Sequence, residues 1–207
     1  MSEAKCKICR HVGEKLFLKG ERCFTPKCAV VRKPYKPGVH GKRRGRAPSE
    51  YGRQLLEKQK LKALYGVREE QFRRYIASAS GQESNNIEAL LSGLERRLDN
   101  AVFRLGLGFS RSIARQLTSH GHILVNGKRI TIPSYPVGPG DVLTIRKESA
   151  DKGPFKDVSE RLKKYTPPAW LTLDLEKLEG KVVRLPTLED IGTPPANIQT
   201  ILEYYSR

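Results

Sequence analysis

Four cysteines are the residues of this chain best suited to hold an ion: Cys6-Lys7-Ile8-Cys9, and then Cys23-Phe24-Thr25-Pro26-Lys27-Cys28. This C-x2-C-x13-C-x4-C spacing makes two thiolate pairs, each able to bite one side of a tetrahedral ion while the loop between them closes over it. Four sulfur ligands leave no open coordination position, so the cofactor they point to is one structural zinc ion. An iron–sulfur cluster using the same ligands, or four ordinary thiols, are the alternatives. Lys5, Lys7, Arg10 and Lys27 lie beside the cysteines in sequence and are expected to favour thiolates, while His11 reads as a surface residue or phosphate contact.

Catalytic patterns are absent from the sequence. No Gly-rich phosphate loop with a lysine follows a strand, no H-E-x-x-H occurs, and no Ser or Cys nucleophile is set beside a histidine in a recognisable motif. Arg97-Leu98-Asp99 resembles the R-L-D of RNA pseudouridine synthases, whose Asp is catalytic. Here Leu98 belongs to an apolar stripe, so Asp99 is read as orienting nearby Arg or capping groups, and no segment remains to form a synthase domain. The chain is therefore expected not to be an enzyme and to have no small-molecule substrate.

Charge points to a binding role instead. A net charge of +17 and a pI near 9.9 call for a polyanionic partner, and nucleic acid fits a basic protein better than a membrane surface does. Residues 1–80 carry 21 Lys and Arg against 7 Asp and Glu, residues 81–147 carry 9 against 5, and residues 148–207 carry 9 against 10. The polyanion is thus expected along the first two thirds. Within it, Val31 to Pro48 holds Arg32, Lys33, Lys36, Lys42, Arg43, Arg44 and Arg46 without one acid, has no hydrophobic period, and cannot bury a core. It reads as an extended arm that neutralises phosphates and orders only on nucleic acid, with Tyr35 and His40 available for stacking. The hydrophilic start, without a signal-peptide apolar core, and the lack of any spanning run lead us to expect a cytoplasmic protein with no membrane partner.

The elements that must position these groups are legible from periodicity. Ser49 caps a helix that Gly66 stops, and a second runs from Val67 to Ala79 with Phe72, Tyr75 and Ile76 on its core face. Leu90, Leu91, Leu94, Leu98, Val102 and Leu105 form one helical stripe that leaves Arg96, Arg97 and Asn100 mostly off it. Ser110 caps a short helix ending at Gly121. Ile123 to Val125 then meets Lys128 to Ile132 across Asn126-Gly127, and Val142 to Ile145 supplies a third strand. A short helix is expected around Ser159 to Tyr165, and Lys181 to Leu185 reads as a strand extending the sheet. The last apolar patch, Ile198, Ile201, Leu202, Tyr204 and Tyr205, is too short to stay ordered unless it docks elsewhere on the chain. Ser110, Arg111, Arg115, Gln116, His120, His122, Asn126 and Lys128 gather on the second helix and strand entry, where they could face phosphates and sugar edges.

Arg97-Leu98-Asp99, Ser110-Arg111, Ala114-Arg115-Gln116-Leu117, His120-Gly121-His122 and Val125-Asn126-Gly127 resemble the small RNA-binding module named after ribosomal protein S-four. The resemblance extends over nearly the whole chain through Lys19-Gly20-Glu21-Arg22-Cys23, Pro37-Gly38-Val39-His40-Gly41, Glu57-Lys58-Gln59-Lys60-Leu61, Gln71-Phe72-Arg73, Pro133-Ser134-Tyr135, Pro168-Ala169-Trp170-Leu171 and Glu203-Tyr204-Tyr205-Ser206-Arg207. These look like the bacterial S-four ribosomal family. Two departures stand out: Thr118 replaces the family's usual aliphatic residue, and many relatives lack the cysteines.

The resemblance implies an α+β chain: a mostly helical N-terminal domain with zinc knuckle and basic arm, and a module of two helices packed on a small, mainly antiparallel sheet. The segments expected are 1–48 for knuckle and arm, 49–87 for the helical part, 88–186 for the module with its extension, and 187–207 for a tail docking back on the N-terminal domain. It further implies that Arg53, Lys58, Lys62, Arg73, Arg97, Asn100, Arg104 and Ser134 join the RNA-facing set. The implied function is a structural component of the small ribosomal subunit that binds its RNA directly, nucleates assembly and influences decoding accuracy. Neighbouring small-subunit proteins and the messenger entry path would lie nearby. A free RNA-binding translational regulator, and an RNA-modifying enzyme carrying the same module, are the alternatives.

Overall fold

In a computed structural model of the chain, residues 4–43, 47–81, 85–150, 155, 158–163, 165–192, 194 and 196–206 are described. Contacts divide the chain into two units, Met1–Ala77 with Pro194–Arg207, and Ser78–Thr193. No described helix is long and apolar enough to cross a membrane.

In the first unit, α1 (Lys5–Val12) carries Cys6 and Cys9 and ends at Gly13, whose φ of 87° gives the left-handed stop that glycine tolerates. A single 3-10 turn, Gly20–Cys23, and the short α2 (Ala29–Arg32) hold the second cysteine pair. The long α3 (Glu50–Tyr65) is framed as the sequence dictates: the Ser49 hydroxyl accepts from the Gly52 N–H at 3.2 Å, and Gly66 turns the chain at φ 63°. α4 (Glu69–Ser80) starts two residues later than expected and buries Phe72 and Ile76. The C-terminal helix, Ile198–Tyr205, is capped by Asn197, buries Ile198 and Ile201, and packs on α3. Its entry is fixed where the Asn197 N–H donates to Glu57 at 2.8 Å.

In the second unit the leucine stripe is buried throughout, yet it runs over two helices, α5 (Asn86–Glu95) and α6 (Leu98–Arg104). The single helix expected there is interrupted at Arg97, which adopts extended φ/ψ of −62° and 137°. The interruption has partners: the N–H groups of Leu98 and Asp99 donate to Tyr135 and Pro133 carbonyls, and the Val137 N–H donates to the Arg96 carbonyl. Periodicity reports which side chains are buried, and it does not register a loop that takes over the backbone bonds of one turn.

The remainder follows closely. α7 (Arg111–Ser119) is capped by Ser110 and closed by paired bonds from Gly121 N–H to Thr118 and His122 N–H to Leu117, with Gly121 at φ 73°. The buried Thr118 hydroxyl donates back to the Ala114 carbonyl at 2.9 Å, which satisfies the polar group that departs from the family pattern. β1 (Ile123–Val125) and β2 (Lys128–Arg129) turn at Asn126 and Gly127, both with positive φ. β2 is shorter than expected: Ile132 is exposed, because Pro133 to Val137 is drawn to the α5–α6 break. After β3 (Val142–Ile145), α8 (Lys147–Ala150) and α9 (Val158–Leu162), come β4 (Leu171–Asp174), β5 (Glu179–Val182) and α10 (Leu188–Ile191), which packs on α5.

The sheet order is β2-β1-β3-β5-β4, with every pairing antiparallel. Val142 opposes Lys181, so the strand foreseen near Lys181 does extend the sheet, although it starts at Glu179 and ends at Val182. Leu98, Val102, Leu105, Leu117, Ile123, Leu143 and Trp170 lie in the core between helices and sheet. Gly180 lets β5 approach α6, since a Cβ there would lie 2.4 Å from Leu105 Cδ1. Gly180→Ala is therefore expected to cost about 1–3 kcal/mol through overpacking, read as a lower urea midpoint at unchanged m-value. An unchanged midpoint would show that Leu105 yields freely.

Candidate nucleic-acid interface

Glu95, the last residue of α5, is fully buried. A lone carboxylate there would be costly, so its partners decide the local structure. Asn100 Nδ2 donates to it at 2.7 Å, Arg104 donates through Nε and a terminal nitrogen at 2.8 Å each, and a terminal nitrogen of Arg111 lies at 3.9 Å. Arg111 Nε also donates to Asn100 Oδ1 at 2.8 Å, and its guanidinium lies 4.5 Å over the Phe103 ring. Asp99 does the same beside it, accepting from Arg97 at 3.0 and 2.7 Å, with an Arg115 nitrogen 4.0 Å away. Asp99 thus orients arginines, as the sequence suggested.

This network corrects part of the expected RNA-facing set. Arg97 and Asn100 lie inside the unit and not off the stripe, with exposures of 1% and 2%. Ser110 is also buried and serves as the α7 cap. These three build the face and do not present themselves to solvent. Arg104, Arg111 and Arg115 are half-buried, so their guanidinium groups are positioned by buried acids before any ligand arrives.

Gln116 on α7 is exposed, as are His120 and Lys128 beyond it, and His122 and Ser134 are half-buried. Asn126 is exposed but occupied: its amide donates to Asp141 at 2.8 Å and accepts from the Val142 N–H at 2.9 Å, which locks the hairpin turn. Arg129, which the sequence reading passed over, donates to the His120 carbonyl at 3.2 Å. The His122 ring nitrogen Nδ1 lies 2.9 Å from the Ser149 hydroxyl. Burial, and then the charges of His120, Arg146 and Arg129, depress its pKa, so His122 lies beside two arginines and is itself biased toward the neutral imidazole. The missed signal was that Arg129 and Arg146 flank β1 on either side once the strands pair.

In the first unit the basic arm, expected to be extended and to order only on nucleic acid, is partly tied down by the protein itself. Arg10 donates to the carbonyls of Lys33, Tyr35 and Lys36 at 3.0–3.2 Å. Tyr35 is held by Arg10 at 4.8 Å and Lys42 at 5.4 Å from its ring centroid, which occupies the ring we assigned to base stacking. Arg32, Lys33, Lys36, His40, Lys42 and Arg43 stay exposed; Arg44 and Arg46 lie outside the described residues.

Lys58 is a further correction. It is buried, donating to Glu69 at 3.1 Å and to the Tyr204 hydroxyl at 3.4 Å, so it clamps the C-terminal helix. The half-buried Lys62 joins it on Glu69, whereas Arg53 and Arg73 are exposed. Burial alone would raise the Glu69 pKa, but donation from Lys62, the Tyr205 hydroxyl and Lys58 brings it down to about 2. Burial, and then Glu69, push the Tyr205 hydroxyl well up.

All four cysteines are free, and together they line one pocket with Lys5, Leu18, Lys19, Ala29 and Val30. Among the described residues, no three His, Cys, Asp or Glu side chains are gathered closely enough to hold a metal. The lowering of the thiol pKa expected from neighbouring cations is not found at Cys9. Burial, reinforced by Cys23, Cys6 and Cys28, raises its pKa, while Arg10 is turned to the arm.

Residues 1–95 match the family model described as the ribosomal protein S4/S9 N-terminal domain, and residues 96–143 match the S4 domain. Small ribosomal subunit protein uS4 of Halothermothrix orenii is 54% identical over 202 residues, covering 98% of this chain and 96% of its own. The protein of the same name from Thermosipho africanus is 50% identical over 203 residues, covering 98% and 97%. That of Thermus thermophilus is 48% identical over 202 residues, covering 98% and 96%.

Two outcomes follow from the carboxylates. Glu95→Gln leaves Arg104 and Arg111 short of a buried counter-charge and is expected to destabilise the chain by about 3–5 kcal/mol in urea unfolding. A loss within about 0.5 kcal/mol would make the network incidental. Glu69 has a depressed pKa, so its stabilising contribution is complete above its ordinary value of 4.5 and is lost as pH falls toward about 2. Stability measured across that range is expected to fall less steeply in Glu69→Gln than in the parent; parallel curves would refute the linkage.

Proposed function

The chain belongs to the uS4 family of small-subunit ribosomal proteins, and from that premise we propose that it is a structural component of the small ribosomal subunit that binds small-subunit RNA directly. Identity of about half the residues to uS4 proteins along nearly the full length carries the reading. The geometry supports it. Arg111 and Arg115, held by Glu95 and Asp99, and the neighbouring Arg129, Arg146, His120 and His122 offer donors for phosphates and sugar edges. The exposed arm residues supply further cations with little sequence preference. Its partners are then ribosomal RNA and neighbouring ribosomal proteins. In our reading the RNA contacts are made early, so the chain nucleates assembly, and it later lies near the messenger entry path and influences accuracy.

Co-sedimentation tests the assignment. The chain is expected to travel with small subunits at moderate salt; persistence as free protein that still binds RNA would favour a regulator instead. Replacing Lys128 and Arg129 by Ala is expected to weaken binding and reduce the magnitude of the log–log salt slope by about 1–2, and an unchanged slope would remove these residues from the contact.

We also propose that the four cysteines hold a structural zinc ion. Four soft donors around one small pocket suit that ion. The thiols must draw inward to ligate it. Protein purified without added zinc is expected to contain one zinc per chain, and four titratable thiols without metal would rule the site out.

A further inference from the structure

Phe17 and Phe24 form an exposed aromatic pair in the first unit, with ring centroids 4.8 Å apart and planes inclined by 30°. They are 45% and 75% exposed, so neither serves the core. Leu16 before Phe17 is buried and Leu18 after it lines the cysteine pocket, which leaves Phe17 as the residue of the three that is turned outward. Its backbone sits at φ 51°, in the left-handed region that a bulky side chain seldom adopts. Backbone strain that exposes an apolar ring is not offset by burial and is a mark of a functional position.

The surroundings point to the ligand. Lys15, Lys19, Arg22 and Lys27 are all exposed within three residues of one ring or the other. Glu21 is the one acid between Lys15 and Cys28. Glu14, just before that stretch, is occupied by Lys60 at 2.8 Å. An exposed aromatic pair flanked in sequence by exposed cations suits an unpaired nucleotide, whose base offers a flat face and whose flanking phosphates offer the opposite charge. A purely apolar protein patch would have no use for the cations.

We infer that Phe17 and Phe24 are a stacking platform for an unpaired base of RNA, with Lys15, Lys19, Arg22 and Lys27 meeting its flanking phosphates. The inference rests on the RNA-binding reading above and adds a contact to the base face, at residues outside the arm and the α7 surface. Stacking carries no counterion release, so its contribution is separable from that of the cations.

The test uses the full chain with small-subunit RNA and with a single-stranded oligonucleotide, titrated over several salt concentrations. Phe24→Leu is expected to bind about 5- to 100-fold more weakly with an unchanged salt slope, and Phe24→Tyr to bind like the parent. Lys15→Ala with Lys19→Ala is expected to flatten the slope. Because Phe24 is so exposed, the urea midpoint of Phe24→Leu should match the parent, and a lowered midpoint would assign the ring to stability and overturn the platform. If the parent binds RNA with salt dependence while Phe24→Leu binds equally well, the platform is wrong and the functional reading stands. If Phe24→Leu keeps its RNA affinity but no longer co-sediments with the small subunit, the ring meets a protein, which also overturns the proposal. Failure of the parent to bind RNA at all would overturn both.

Discussion

The second unit depends on the burial of Glu95. A carboxylate with no exposed surface must collect donors, and it does so from Asn100 and Arg104 on α6 and from Arg111 on α7. Three helices are thereby fixed around one charge. The net stabilisation is smaller than the cost of breaking the network, because desolvating the charges offsets much of their attraction. What the arrangement supplies is geometry: side chains with high rotamer entropy are ordered in the free protein, so less ordering remains to be done when RNA binds. Asp99, in the first turn of α6, repeats the device with Arg97 and Arg115.

The first unit uses the same physics for a different end. Glu69 gathers Lys58, Lys62 and the Tyr205 hydroxyl, and through them the C-terminal helix is held on α3. Lysines that composition alone would assign to a phosphate are thus spent on the protein. The arm shows the converse economy: Arg10 binds main-chain carbonyls of the arm, which leaves that segment's own cations facing solvent. One arginine used internally positions several for a ligand.

The two units differ in what they can offer a polyanion. Residues 1–80 hold most of the excess positive charge, which gives long-range, salt-sensitive attraction. The second unit has little excess charge but a rigid, pre-ordered face, which suits recognition of RNA by shape and by sugar and phosphate positions.

How much of this was legible depended on whether a signal is local. The caps at Ser49 and Ser110, the stops at Gly66 and Gly121, the Asn126-Gly127 turn and the buried leucines were determined by the sequence alone, because each is set by a side chain acting within a few residues of itself. Family membership was legible for the same reason, through short motifs in fixed order. The break at Arg97 was not, since its cause is a loop nearly forty residues away that supplies the backbone partners. Nor could the sequence tell that Lys58, Arg97 and Asn100 turn inward while Arg129 and Arg146 come to lie beside His122. Whether a charged residue meets RNA or an internal carboxylate is decided by which distant acid folds against it, and only the tertiary structure specifies that.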